Sequence, residues 1–141
     1  MDKLIDLIAK LSAKMGQVEE TAKEQFKFNE LTLTQMHYLE TINLLVNPSI
    51  TELAAEMNLT KPTITVIIDR FIEKDLVVKV RSDEDRRSTH LHLTEKGKQI
   101  NQMHDHAHRI LAESMTKGLT TTEKNIFIEL LEKVVGEMSK G

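Results

Sequence analysis

The chain contains no cysteine. That excludes a disulfide framework, a zinc–thiolate site, an iron–sulfur cluster and any thiol nucleophile or redox switch. Glycine and proline are scarce, 5 and 2 among 141 residues, so long helices are permitted. No apolar run approaches the roughly 18 residues of a membrane span. The opening Met1-Asp2-Lys3-Leu4-Ile5-Asp6 is acidic and amphipathic, unlike a secretory signal, so a cytoplasmic protein is expected. A Gly-rich phosphate loop, a His-Glu-x-x-His pattern and a serine in an acyl-transfer context are all missing, and no enzyme is expected. The formal charge of −3 also speaks, at first sight, against nucleic acid as a partner.

What is present is an ordinary globular balance, 40% hydrophobic and 29% charged, at a length that suits one domain. Leu4, Leu7, Ile8, Leu11, Met15 and Val18 recur at helical spacing and predict an amphipathic first helix that fades near Asn29–Leu31. A second helix fits Thr34 to Leu45, with Met36, Leu39 and Ile42 inward, and Asn47-Pro48-Ser49 breaks it. Ser49-Ile50-Thr51-Glu52 is a capping box, in which the serine oxygen takes a free N–H and the glutamate reaches back. It opens a short helix with Ile50, Leu53, Ala54 and Met57 inward. After the turn Asn58-Leu59-Thr60, Thr60 caps a helix with Pro62 in its first turn. That helix buries Ile64, Ile67, Ile68, Phe71 and Ile72 and stops near Asp75.

The period then changes. Leu76–Val80 is β-rich, and Thr89–Leu93 alternates polar and apolar. The charged stretch Arg81–Ser88 joins them as the loop of a hairpin. A helix from Thr94 to about Lys117 follows, with Gly97 held early in it by some packing requirement. Thr120-Thr121-Thr122-Glu123 is a second capping box, opening a last helix with Ile126, Phe127, Leu130, Leu131, Val134, Val135 and Met138 inward. The fold expected is mainly α with a small β-hairpin.

Residues 49–93 thus read helix, tight turn, helix, strand, charged loop, strand, the order of a winged helix-turn-helix. The second helix is narrow enough for the major groove of DNA, with Lys61, Thr63, Thr65 and Arg70 outward. The hairpin tip sets Arg86 and Arg87 beside the backbone or minor groove. A polar loop alone would be only a solvated loop; the order of the elements is what points to DNA.

Here the sequence resembles the MarR family of bacterial transcription regulators over nearly its whole length. The segment TELAAEMNLTKPTITVIIDRFIEKDLVVKVRSDEDRRSTHLHLTEKG, residues 51–97, carries the resemblance. Asp85-Arg86-Arg87 followed by Leu93-Thr94-Glu95-Lys96-Gly97 is its most specific part. The resemblance implies a homodimer built from the N- and C-terminal helices, 1–33 and 99–141. Two DNA-binding regions, 34–98 in each chain, would meet a pseudo-palindromic operator, and the regulator would act as a repressor. It further implies that Thr60, Lys61, Pro62, Thr63 and Thr65 lie at or near the groove. Arg70, Arg81, Arg86 and Arg87 complete the DNA-facing set. Arg86 would be the minor-groove residue of the wing, braced by Asp83 or Asp85. Val66 stands where family members often carry a polar residue, and Asp75 where they commonly have glycine.

Three of the six histidines fall in Met103-His104-Asp105-His106-Ala107-His108. His104 and His108 share one helical face, the spacing that chelates a metal from a helix. The zinc-responsive repressors of the family look similar here, with a histidine after a Thr-Gln-x step, as at His37, and a histidine pair beyond the wing. Their acidic ligand comes from the first helix, where Glu20 or Glu24 stands in this chain. Zinc is therefore a candidate cofactor, although helix-spaced histidines often occur without metal. Repressors of fatty-acid synthesis in the same family present a similar histidine pattern. For them the effector would be a small-molecule or acyl-carrier ligand, with Met15, Met36 and Met103 as an apolar lining. Helical metal binding or protein interaction without DNA is the alternative to the regulator reading.

Divided along the chain, the charge looks different. Residues 1–59 hold 5 basic and 9 acidic groups, net −4; residues 60–98 hold 9 and 7, net +2; residues 99–141 hold 5 and 6, net −1. The acidity belongs to the expected dimerisation helices and the reading head is mildly basic.

Overall fold

The computed structural model describes residues 1–26, 31–81 and 88–140. In chain order these are α1 (Asp2–Phe26), α2 (Leu33–Leu44), α3 (Ile50–Met57), α4 (Lys61–Glu73), β1 (Val77–Arg81), β2 (Thr89–Leu93), α5 (Glu95–Thr116) and α6 (Thr121–Met138). The mainly helical expectation holds, and the element bounds fall within a few residues of those the periodicity predicts. β1 and β2 pair antiparallel from Val77 opposite Leu93 to Arg81 opposite Thr89.

Caps explain where the helices begin. Thr32, Ser49 and Thr120 each form a full capping box, with Gln35, Glu52 and Glu123 respectively. The Thr32–Gln35 box moves the start of α2 to Leu33, ahead of the expected Thr34. Thr60 caps α4 through the Thr63 N–H. α4 ends at Glu73, and Asp75 takes the left-handed conformation, φ 61°. Asp tolerates this better than most residues, so the turn survives without glycine.

The chain divides into two compact units, Met1–Ala107 and His108–Gly141. The core of the first is drawn from every element it contains: Ala22 of α1, Met36, Leu39 and Ile42 of α2, Leu53 of α3, Ile64, Ile68 and Phe71 of α4, Val77 and Leu91 of the hairpin, and Met103 of α5. Thr94 closes this unit. Its N–H donates to the Leu76 carbonyl and its hydroxyl to the Asp75 carbonyl, at 3.0 and 2.6 Å. Gly97, one turn on, packs so tightly that an added Cβ would overlap the Leu76 carbonyl oxygen.

Three apolar expectations are corrected. Ile72 is exposed, because it lies a quarter-turn from the Ile64–Ile68–Phe71 line that faces the core. Leu4, Leu7, Ile8, Leu11 and Met15 of α1 are exposed, and burial begins at Val18. In the second unit α6 buries no residue: Phe127 is half-buried and the rest of its apolar positions face outward. The helical spacing defines an apolar face, and among the described residues that face stands exposed.

Candidate nucleic-acid interface and buried histidine site

The helix-turn-helix is set by local chemistry. α3 is fixed at its start by Ser49, whose Oγ accepts from the Glu52 N–H at 3.1 Å while its own N–H donates to Glu52 Oε1 at 3.3 Å. It ends at Asn58, left-handed at φ 55°, after which the Leu59 N–H returns to the Ala54 carbonyl. Three residues therefore turn the chain into α4 without glycine. The buried line Ile64–Ile68–Phe71 then fixes the rotation of α4, and with it which side chains face out.

Lys61, Pro62, Thr63, Val66 and Arg70 are exposed. Thr63, Val66 and Arg70 stand at positions i, i+3 and i+7, one stripe along the helix. Thr60 and Thr65 do more internal work. The Thr60 hydroxyl accepts from Thr63 N–H and meets the Thr63 hydroxyl at 2.9 Å. The half-buried Thr65 donates its hydroxyl to the Lys61 carbonyl at 2.8 Å, which leaves only lone pairs for an outside donor. Arg70 borders a cleft between α2 and α4 with Gln35, Tyr38, Ile67, Phe71 and Lys74. Across the helix, Asp69 reaches Lys79 of β1 at 3.8 Å, tying α4 to the hairpin.

Arg81 is exposed at the end of β1. Asp83, Asp85, Arg86 and Arg87 lie outside the described residues.

The second site is buried. His104 of α5 is 6% exposed. Its Nδ1 lies 3.3 Å from Glu19 Oε1 of α1 and its Nε2 lies 3.0 Å from Glu40 Oε2 of α2. A neutral imidazole has one N–H and can donate to only one of two carboxylates. The ring nitrogens and the two carboxylates together make a nitrogen-and-oxygen donor set. Nitrogen and carboxylate oxygen are donors that zinc accepts.

The ligand candidates expected on α1 and α2 fall elsewhere. Glu20 is exposed and pairs with Lys23 at 3.5 Å; Glu24 is exposed; His37 is exposed on α2. The reason is rotation: each step along a helix turns about 100°, so Glu19, on the face of the buried Ala22, points inward where Glu20 cannot. His108 follows His104 by one turn of α5 and is exposed. Sequence reasoning missed Glu19 and Glu40. The i, i+3 relation of Glu19 to Ala22 and the placement of Glu40 beside the inward Leu39 were the available signals.

Comparisons with known proteins agree with this geometry. A model described as the MarR family matches residues 31–89. The transcriptional regulator AdcR of Streptococcus pyogenes is 30% identical over 115 residues, covering 73% of this chain and 76% of that protein. YpoP of Bacillus subtilis, an uncharacterized HTH-type transcriptional regulator, is 27% identical over 85 residues, 60% of this chain; the match spans 57% of that protein, little more than half its length. Among solved structures, FabT of Streptococcus pneumoniae in complex with DNA superposes with a TM-score of 0.82 at 22% identity, covering 99% of this chain and 97% of that one.

Proposed function

Because the chain belongs to the MarR family of transcriptional regulators, we propose that it binds a pseudo-palindromic operator as a homodimer and represses transcription from it. The observation that carries this reading is the outward stripe of α4, whose rotation is locked by three buried apolar residues and whose start is locked by Thr60. In this reading α4 enters the major groove. Lys61, with Thr60 and Thr63 at the helix start, meets phosphate, and Val66 meets an apolar group such as a thymine methyl. Thr65 accepts from a base amino group. Arg70, Arg81 and Arg87 contact the backbone, and Arg86 enters the minor groove, braced by Asp83 or Asp85. The apolar faces of α1 and α6 join two copies, so that residues 1–33 and 99–141 form the dimer and residues 34–98 read DNA. Two reading heads on one duplex require half-sites about one helical turn, roughly 34 Å, apart.

The test is binding of the full chain to the duplex immediately upstream of its own gene, measured against an unrelated duplex of the same length. Preferential binding that falls steeply with salt is expected. Equal affinity for both duplexes would overturn the reading.

One observation favours zinc as the effector: the burial of His104 between Glu19 and Glu40. We place the ion at these three side chains, with His108 the further donor that the i, i+4 spacing offers. His37, Glu20 and Glu24, exposed as they are, are left out of the set. Met36 and Met103 are core residues, so an acyl-type effector has no comparable observation in its favour. Calorimetry on chelator-treated protein should show one zinc per chain, lost in His104→Ala. The same titration must change DNA affinity for zinc to count as the effector.

A further inference from the structure

Two consecutive residues in the link between α2 and α3 have left-handed backbones, Val46 at φ 55° and Asn47 at φ 58°. Asparagine adopts this conformation readily, but a β-branched residue does not. Packing does not force it on Val46, whose side chain is exposed. The link is held from outside, by the wing strand β2. The Leu91 N–H donates to the Pro48 carbonyl at 2.8 Å. The ring of His90, 43 residues along the chain, places Nδ1 3.0 Å from the Asn47 carbonyl oxygen. A carbonyl only accepts, so Nδ1 carries the hydrogen. The other nitrogen, Nε2, lies 3.2 Å from the hydroxyl of Ser88, the residue before β2. One imidazole thus touches both the strained link that leads into α3 and the base of the wing.

We propose that His90 is a positioning residue for DNA binding, one that latches the wing to the Val46–Asn47 link so that wing and α4 meet DNA in a single register. This rests on the DNA-binding reading. The path is short: Ser49, the cap of α3, follows Pro48 directly, α3 sets α4 through the capped turn, and β2 carries the wing. Both DNA-facing elements therefore depend on how the link and β2 are fastened. The latch also balances strain, so glycine at position 46, where φ > 0 is no burden, reduces the need for it.

The test uses the full chain with His90→Phe, His90→Asn and Val46→Gly. Phenylalanine keeps the ring and removes both nitrogens. Asparagine puts an N–H where Nδ1 stood. Exchange of the Leu91 amide should quicken about fivefold in His90→Phe, the worth of one net hydrogen bond, and return towards the wild-type rate in His90→Asn. Affinity for the duplex upstream of the gene should fall by about the same factor in His90→Phe, recover in His90→Asn, and fall less when His90→Phe is combined with Val46→Gly. If His90→Phe alone does not fold, His90→Ala in the Val46→Gly background takes its place. Unchanged Leu91 exchange would overturn the latch. Faster exchange with unchanged DNA affinity would overturn the positioning role. Equal losses for Phe and Asn would mean that the histidine only packs, and would overturn both. If the wild-type chain binds no duplex, the DNA-binding reading is what fails, and the exchange measurement still decides whether the latch exists.

Discussion

α4 and α6 carry the same kind of apolar pattern and meet opposite fates. On α4, Ile64, Ile68 and Phe71 are wholly buried, covered by α2, α3 and the hairpin of the same chain. On α6, Ile126, Leu130, Leu131, Val134, Val135 and Met138 are all exposed. α1 repeats the second behaviour over its first four turns. An apolar stripe shows that a face will be covered but does not say by what. In the first unit the covering elements are sequence neighbours. For the exposed stripes of α1 and α6, a second chain is the proposed cover.

That contrast can be broken most forcefully on α6. Leu131→Asp with Val134→Asp should weaken self-association by on the order of 100-fold, because each carboxylate would be desolvated against an apolar surface. The first unit should keep its fold, since none of its core residues is touched. Sedimentation velocity checks the mass and circular dichroism the fold. A variant that still sediments as a dimer removes α6 from the interface.

Phe71→Ala is the counterpart on α4. Truncating a fully buried phenylalanine should cost about 3–5 kcal/mol in urea denaturation. A cost below about 1 kcal/mol would mean that α4 is as weakly covered as α6. Next in size is Gly97→Ala, expected to cost about 1–3 kcal/mol, because the new methyl group meets the Leu76 backbone rather than a side chain that can move. The smallest change concerns the exposed stripe of α4. Lys61→Ala should leave stability within about 0.5 kcal/mol and lower the salt slope of DNA binding by about one. Loss of stability instead of slope would show Lys61 to be structural.

Much of this was legible in the sequence because the signals are local. Ser49 with Glu52 and Thr120 with Glu123 mark helix starts within one turn, and the switch from a period of 3.6 to 2 marks the hairpin at residues 77–93. Asp75 kept the turn expected of glycine because its short polar side chain tolerates positive φ. The buried histidine site was half legible. The His104–His108 spacing is a property of one helix and could be read directly. Glu19 and Glu40 come from two other helices, and their arrival depends on how α1 and α2 rotate against α5, which tertiary packing decides. His37 and Glu20 had the right chemistry and the wrong side of their helices. Val46 in a left-handed conformation carries no local sequence signal, and the groups that bond the link it belongs to lie at residues 90 and 91.

The central claim is that two copies of the exposed α4 stripe read one duplex. It is tested most directly by the mass of the complex formed by the full chain with the duplex upstream of its own gene, with Arg86→Ala in parallel. Two chains per duplex are expected, with the variant bound at least tenfold more weakly at unchanged thermal stability. A single chain per duplex, or equal affinity of the Arg86→Ala chain, would contradict the account.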